Sequence, residues 1–290
     1  MSYKTGAALV LVAGVLWSFQ GLIIRQLEEA GSWTVLFWRS VGMVPTLYAF
    51  LILRGGKGSL ASIQSAGATG IVAGIGLVVA MAGAIVAFQL TTVANAAFLF
   101  AASPFFAAIL GRAFLGEAVA PRTWLAIGLA LIGIFIMVSD SLSSGAWLGN
   151  VAALSAAFGF AGFTVCLRWR RIDDSLPFSI LGALFSVIIS SVAAGFAGQS
   201  ILAPASDILW CLFMGVVTMA GGMILYTYGS RTVPSAELAL LSNIEVMLAP
   251  VWVWIILSET GSDATLIGGA VLLSAILFNA YSGARRAVLS

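Results

Sequence analysis

The chain has very little charge for its length. Its 290 residues include 13 Lys or Arg and 11 Asp or Glu, so charged residues make up 8% of the sequence and hydrophobic residues 61%. A soluble domain usually carries about 25% charged residues to cover its surface. The composition therefore excludes an ordinary soluble protein. No charged residue lies between Lys57 and Arg112, and uncharged stretches of that length are typical of membrane spans.

Histidine is absent and cysteine is scarce. Without imidazole the chain cannot form a Ser-His-Asp or Cys-His nucleophile or a His-ligated metal site, and it has no Gly-rich phosphate loop with its Lys and Ser or Thr. We therefore expect no enzyme, no metal, no cofactor and no ATP-driven pumping by this chain alone. The net charge of +2 is too small to indicate nucleic acid as a partner. Cys166 and Cys211 fall near opposite membrane faces, too far apart for a disulfide.

What the sequence does contain is a series of long apolar segments separated by clusters of polar and turn residues. A bilayer core about 30 Å thick takes about 20 helical residues to cross. Cutting the chain at the polar clusters predicts an all-α polytopic membrane protein with ten transmembrane helices. No Ala-x-Ala cleavage site ends the first helix, so we expect an uncleaved signal anchor. The expected helices cover residues 5–24, 33–53, 68–88, 93–115, 122–139, 147–167, 176–198, 207–228, 235–257 and 264–282.

The basic residues predict how these helices are oriented. With the N-terminus inside, every Lys and Arg falls on a cytoplasmic segment except Arg25, in an outer loop, and Arg39, within the second helix. Cytoplasmic loops of membrane proteins carry an excess of Lys and Arg. We therefore expect a multi-pass protein of the cell inner membrane with both termini in the cytoplasm.

The two halves of the chain resemble each other at a shift of about 142 residues. Leu115-Gly116-Glu117 falls on Leu257-Ser258-Glu259, and Arg25 falls on Arg168 at a shift of 143. We expect two repeats, residues 1–143 and 144–290, with five helices each. Because five is odd, the second repeat enters the membrane inverted, as in many secondary transporters whose solute site lies near the midplane. The alternative is a duplicated membrane scaffold that does not transport.

Several motifs resemble the EamA-type branch of the drug/metabolite transporter superfamily over essentially the whole chain. They are Phe37-Trp38-Arg39-Ser40, the run Ser103-Pro104-Phe105-Phe106-Ala107-Ala108 leading into Phe114-Leu115-Gly116-Glu117, and the Asn243-Ile244-Glu245 and Leu257-Ser258-Glu259 pair. Val246 departs from the family pattern, which usually has Pro after this Glu. The abundance of aromatic residues is similar to that of bacterial aromatic amino-acid exporters. The resemblance implies a ten-helix transporter of small solutes.

Glu245 is the strongest candidate for solute binding. A charge in the hydrocarbon costs about 2.5–3.5 kcal/mol on insertion scales, so an acidic residue in the middle of the ninth helix is a functional candidate by default. It is suited to hold an ammonium group or to exchange a proton, with Asn243 orienting it or sharing the solute. The alternative is a neutral Glu that hydrogen-bonds a neighbouring helix and serves packing.

Aromatic and basic residues complete the candidate site. Rings deep in the membrane are suited to stack on an aromatic solute or to face an organic cation, or else they pack against lipid and helices. Arg39 either contacts a solute carboxylate or snorkels outward, and Arg231 with Glu237 forms either a cytoplasmic gate or a solvated pair. Glu117 and Glu259 are expected to be loop caps. The deep aromatic candidates are Trp17, Phe98, Phe163, Tyr226 and Trp252.

We therefore expect a secondary transporter that exports amino acids, aromatic or broadly hydrophobic, by alternating access through a central cavity. Its partners would be a small solute and the lipid bilayer, with a monomer expected and a dimer as the alternative. The competing hypotheses are an exporter of organic cations, drugs or another small metabolite, an intramembrane enzyme, and a sensor or scaffold.

Overall fold

The computed structural model describes residues 2–54, 67–144, 146–170, 175–233, 241 and 243–289, and every regular element in these ranges is a helix. One helix is a π-helix, here called π1. The elements are α1 Tyr3–Ser18, α2 Gln20–Ile24, α3 Ser32–Leu53, α4 Gly67–Leu90, α5 Val93–Phe100, α6 Ser103–Leu115, α7 Pro121–Ser144, α8 Trp147–Trp169, α9 Leu176–Phe196, α10 Ala205–Phe213, π1 Met214–Gly221, α11 Gly222–Gly229, α12 Ile244–Leu257 and α13 Asp263–Leu289.

Eight helical stretches in the described part of the chain are long and apolar enough to cross a membrane. We number them spans 1 to 8; they coincide with the first eight helices expected from the sequence. Two shorter apolar helices, Ile244–Leu257 and Asp263–Asn279, lie where the last two are expected. An all-α polytopic membrane protein is thus confirmed for the described residues. The spans are Tyr3–Ile24, Ser32–Leu53, Gly67–Leu90, Val93–Leu115, Pro121–Ser139, Trp147–Trp169, Leu176–Phe196 and Ala205–Gly229.

Three of these spans are not uniform α-helices, which the sequence did not predict. Span 1 breaks between α1 and α2, where the Ser18 hydroxyl donates to the Val15 carbonyl at 2.6 Å and so competes with the backbone ladder. Span 4 breaks before Pro104, which has no N–H and disfavours helical geometry in the residue preceding it. Span 8 contains π1, and π-turns inside helices are frequent at functional sites.

The helices pack closely because small residues let their backbones approach. The main contacts join α4 with α8, α7 with α13, and α3 with α9, while α1 packs on α11 and α12. At the α4–α8 contact, Cβ atoms placed on Gly76 and Gly159 would lie 2.9 and 2.6 Å from each other's carbonyl oxygens. Gly133 and Gly268 make the same reciprocal contact between α7 and α13. Such small-residue contacts are typical of helix packing in membranes.

Asp207 anchors the first turn of span 8. It lies in the first turn of α10 with 0% of its surface exposed. Its carboxylate accepts the backbone N–H groups of Glu28, Glu29 and Ala30 at 2.9–3.2 Å. A buried carboxylate is tolerable because these donors replace its water. Asp207 therefore fastens the connection between α2 and α3 to α10.

The glycine contact between α4 and α8 gives a stability prediction. Gly159→Ala puts a methyl group against the backbone of α4, so we expect it to destabilise the protein by about 1–3 kcal/mol and lower the melting temperature in detergent. Gly162→Ala is the matched control on the same helix, because a Cβ there meets nothing within 4 Å. Equal melting temperatures for the two variants would contradict the close approach.

Candidate functional site

Glu245 lies in the first turn of α12, deep inside the bundle. Among the described residues no Lys or Arg pairs with it, and no side chain donates a hydrogen bond to it. Its carboxylate oxygens are nevertheless absent from the fully buried unpartnered atoms, and the residue is only half-buried. The carboxylate therefore borders accessible space and accepts no hydrogen bond from a described side chain.

Two aromatic residues predicted from the sequence lie next to this carboxylate. Tyr226 on α11 is within Coulombic range of Glu245. Its ring centroid is 5.6 Å from that of Trp17 on α1, at an interplanar angle of 41°. The Trp17 indole lies against Gly222, and its Nε1–H is buried without a partner among the described residues. Tyr226 thus contacts Trp17 and lies close enough to Glu245 to interact with its charge.

Trp252 joins the same region from a position two turns after Glu245 on α12. Its indole Nε1 donates to the Ser18 hydroxyl at 2.8 Å, and its ring stacks on Phe19 with centroids 4.9 Å apart and 13° between planes. Both partners lie at the break in span 1. Trp252 therefore connects α12 with the irregular backbone between α1 and α2.

Arg39 reaches this break from α3. Its side chain is 1% exposed, and Nη1 donates to the Gln20 Oε1 atom at 3.2 Å. The remaining donors, Nε and Nη2, are buried and have no partner among the described residues. The expected outward snorkelling is wrong, since the guanidinium is enclosed. A guanidinium with two unpaired N–H donors favours binding of an anion, and the two oxygens of a carboxylate match its fork geometry.

Among the described residues, no hydrogen bond or ring contact joins the other predicted site residues to this group. Phe98 is 8% exposed and packs against Gly269 on α13, while Phe163 is 3% exposed in the core beside Phe160. Both are therefore packing residues. Arg231 is exposed, with its guanidinium carbon 5.3 Å from the Tyr228 ring centroid.

Two further predictions concern the start of the ninth helix. Asn243 immediately precedes α12, half-buried, and its side chain makes no capping hydrogen bond. It lies two residues from Glu245 and stays a candidate. Glu237 lies outside the described residues, so its pairing with Arg231 stays a prediction.

The structure adds polar residues that the sequence reasoning missed. Ser18 and Gln20 hold Trp252 and Arg39 at the break in span 1. Asn95 on α5 and Asn150 on α8, each 1% exposed, hydrogen-bond each other. Uncharged polar residues within spans were the available signal, because polar side chains in hydrocarbon need partners or a function.

These groups offer contacts to a small charged solute. A carboxylate beside aromatic faces is suited to an ammonium group or an organic cation, and the enclosed guanidinium is suited to a carboxylate. Within the described ranges no cluster of three or more Cys, Asp or Glu is placed to hold a metal ion.

Comparisons with known proteins agree with a membrane transporter. A solved crystal structure aligns with 96% of the chain and 97% of its own length at a TM-score of 0.65 and 17% identity, which shows the fold alone. An uncharacterized transporter of Archaeoglobus fulgidus is 30% identical over 196 residues, 67% of this chain and 69% of its own.

Two relatives are named after the solute that they transport. A pseudopaline exporter of Pseudomonas aeruginosa is 25% identical over 94% of this chain and 95% of its own length. A biotin transporter of Salmonella typhimurium is 24% identical over 51% of this chain and 52% of its own. These similarities place the protein among the membrane transporters. The model of the EamA-like transporter family matches residues 4–139 and 147–281, and the chain belongs to that family.

Proposed function

We propose that the protein is a secondary transporter that exports amino acids with aromatic or broadly hydrophobic side chains. The observation that carries this proposal is Glu245, a partly accessible acidic side chain without a basic partner among the described residues. A charge in that position is costly unless it binds a solute or a proton. The proposed orientation follows the basic residues, with both termini cytoplasmic in the inner membrane.

The proposal includes two inverted five-helix halves, residues 1–143 and 144–290. The packing supports this, because exchanging the two halves maps each main helix contact either onto itself or onto another observed contact. Span 2 packs on span 7, and α7, the last helix of the first half, packs on α13, the last helix of the second half. Exchanging the halves maps each of these two pairs onto itself. The pair of spans 3 and 6 maps onto spans 8 and 1, which also pack together. The two matched stretches of the family model, 4–139 and 147–281, agree with the same division.

The solute contacts follow from the charges and rings of the site. Glu245 binds the ammonium group, while Tyr226, Trp17 and Trp252 offer ring faces and edges to an apolar or aromatic side chain. Arg39, whose Nε and Nη2 atoms lack partners among the described residues, binds the carboxylate. Alternating access would expose these groups first to the cytoplasm and then to the outside.

Export of organic cations is the second candidate. Glu245 beside Tyr226 and Trp17 is suited to a cation without any help from Arg39. The two proposals therefore differ in whether a carboxylate on the solute matters.

The first experiment compares solutes that differ in one charged group. Purified protein in proteoliposomes is given phenylalanine, phenethylamine (which lacks the carboxylate) or a quaternary ammonium, with biotin as a further metabolite. An amino-acid transporter moves phenylalanine in preference to phenethylamine. Preference for the two cations would favour the second candidate, and transport of biotin alone would overturn both.

The carboxylate of Glu245 gives a second prediction. Glu245→Gln keeps the shape and removes the charge, so we expect transport to fall to background while the melting temperature stays nearly unchanged. Glu29→Gln, at an exposed loop carboxylate, is the control and should transport normally. Wild-type transport by Glu245→Gln would reduce Glu245 to a packing residue.

Arg39 gives a third prediction that separates the carboxylate from the rest of the solute. Removing a charge-assisted hydrogen bond costs about 1.5–3 kcal/mol, so Arg39→Gln should weaken phenylalanine binding by roughly tenfold or more. Binding of phenethylamine should not change, and Arg112→Gln, at an exposed residue, should alter neither. A fall in the binding of both solutes together with the melting temperature would instead indicate that Arg39 is structural.

A further inference from the structure

Two ion pairs join the halves of the chain at opposite ends of the bundle. Arg25, after span 1, donates from Nε and Nη2 to the two carboxylate oxygens of Glu259 at 2.6 and 3.1 Å. Arg168, at the end of span 6, donates from Nη1 to Glu117 at 2.9 Å. Each pair takes one residue from each half. Glu117 and Glu259 were expected to be loop caps, and in the structure each also forms an ion pair.

The two pairs correspond to each other position by position. Arg25 and Arg168 are 143 residues apart, and Glu117 and Glu259 are 142 apart, which are the shifts of the internal repeat. Each Glu follows a helix that ends in a left-handed residue, Gly116 at φ 67° and Ser258 at φ 55°.

Their backbone contacts correspond as well. The N–H of Glu117 donates to the Gly111 carbonyl at 3.3 Å, and that of Glu259 to the Val253 carbonyl at 3.2 Å. Gly111 and Val253 are again 142 residues apart. The two ion pairs are therefore one motif that occurs in both halves.

The pairs lie at opposite membrane faces. Span 1 ends at Ile24, next to Arg25, and span 4 ends at Leu115, next to Glu117. Spans 2, 3 and 4 lie between the two points, and an odd number of crossings puts them on opposite sides. Each pair also reaches a neighbouring backbone carbonyl. Arg25 donates to the Thr91 carbonyl, just after α4, at 2.8 Å, and Arg168 donates to the Ala107 carbonyl, within α6, at 3.0 Å.

We propose that these pairs are the two gates of the transporter, Arg25 with Glu259 closing the outer mouth and Arg168 with Glu117 closing the inner one. The proposal rests on the alternating access proposed above. A partly exposed ion pair suits a gate because water solvates both ions when the mouth opens, so that making and breaking the contact differ little in free energy. Opening either mouth then does not require two large apolar surfaces to separate from each other.

The structure also distinguishes the two gates. The Arg25–Glu259 side chains are 25% and 19% exposed, and Glu259 additionally accepts the Val93 N–H at 2.7 Å. The Arg168–Glu117 side chains are 45% and 39% exposed and are joined by a single hydrogen bond, from Nη1 to Oε2. Bidentate, less exposed pairs are stronger than single exposed ones. The inner gate therefore opens more readily, which favours loading of an exporter from the cytoplasm.

The test measures from which side the central site is accessible. Cys166 and Cys211, both buried, are replaced by Ala, and Glu245→Cys puts one reporter thiol in the open space of the site. A membrane-impermeant thiol reagent is then applied to right-side-out and inside-out vesicles. Because labelling needs no solute, failure of amino-acid uptake would leave this test intact.

We expect Glu259→Gln to increase the labelling rate from outside roughly fivefold and Glu117→Gln to increase it from the cytoplasmic side. Glu29→Gln should change neither. Arg25→Lys and Arg168→Lys keep the charge but lose the forked donor, so they should produce smaller increases on the same sides if a Glu variant fails to fold. Increases on the same side for both pairs, or on neither side, would overturn the proposal.

Discussion

A charge inside a bilayer must find a partner, because hydrocarbon offers no water to solvate it. Most of the charged groups near the membrane in the described part of the chain satisfy this constraint. Asp207 accepts three backbone N–H groups, and Arg25 and Arg168 each hold a carboxylate and a backbone carbonyl. Glu245 and Arg39 differ, because among the described residues Glu245 has no hydrogen-bond donor and the Nε and Nη2 atoms of Arg39 have no acceptor. The functional proposals concern these two residues because the Glu245 carboxylate and part of the Arg39 guanidinium have no partner among the described residues.

The irregular backbone lies where those two side chains are. The break in span 1 supplies Ser18 to Trp252 and Gln20 to Arg39. A Cβ placed on Gly215 of π1 would lie 2.0 Å from the Arg39 carbonyl oxygen, so π1 packs directly on the backbone of α3. Non-helical backbone at membrane depth is tolerated where protein buries it or where it lines a cavity. The break in span 1 and π1 therefore both adjoin Arg39.

Hydropathy predicted the spans well, because every residue in a membrane helix faces the same apolar requirement. It predicted the site only in part. Trp252 and Phe98 have similar sequence surroundings, yet one stacks beside the break in span 1 and the other packs on Gly269. Which face of a helix meets the site depends on its rotation, and rotation is determined by packing against neighbouring helices. The role of each aromatic residue was thus not readable from its span.

The sequence alone determined the class of protein, since sparse charge and long apolar segments permit only a helical membrane protein. It also determined that one acidic residue, Glu245, lies at membrane depth, because composition and position suffice for that. The tertiary structure decided which residues meet. Arg25 and Glu259 are separated by 234 positions, and their contact depends on how the two halves pack. Local sequence does not reveal this contact, because charged loop residues are equally well satisfied by water as by each other.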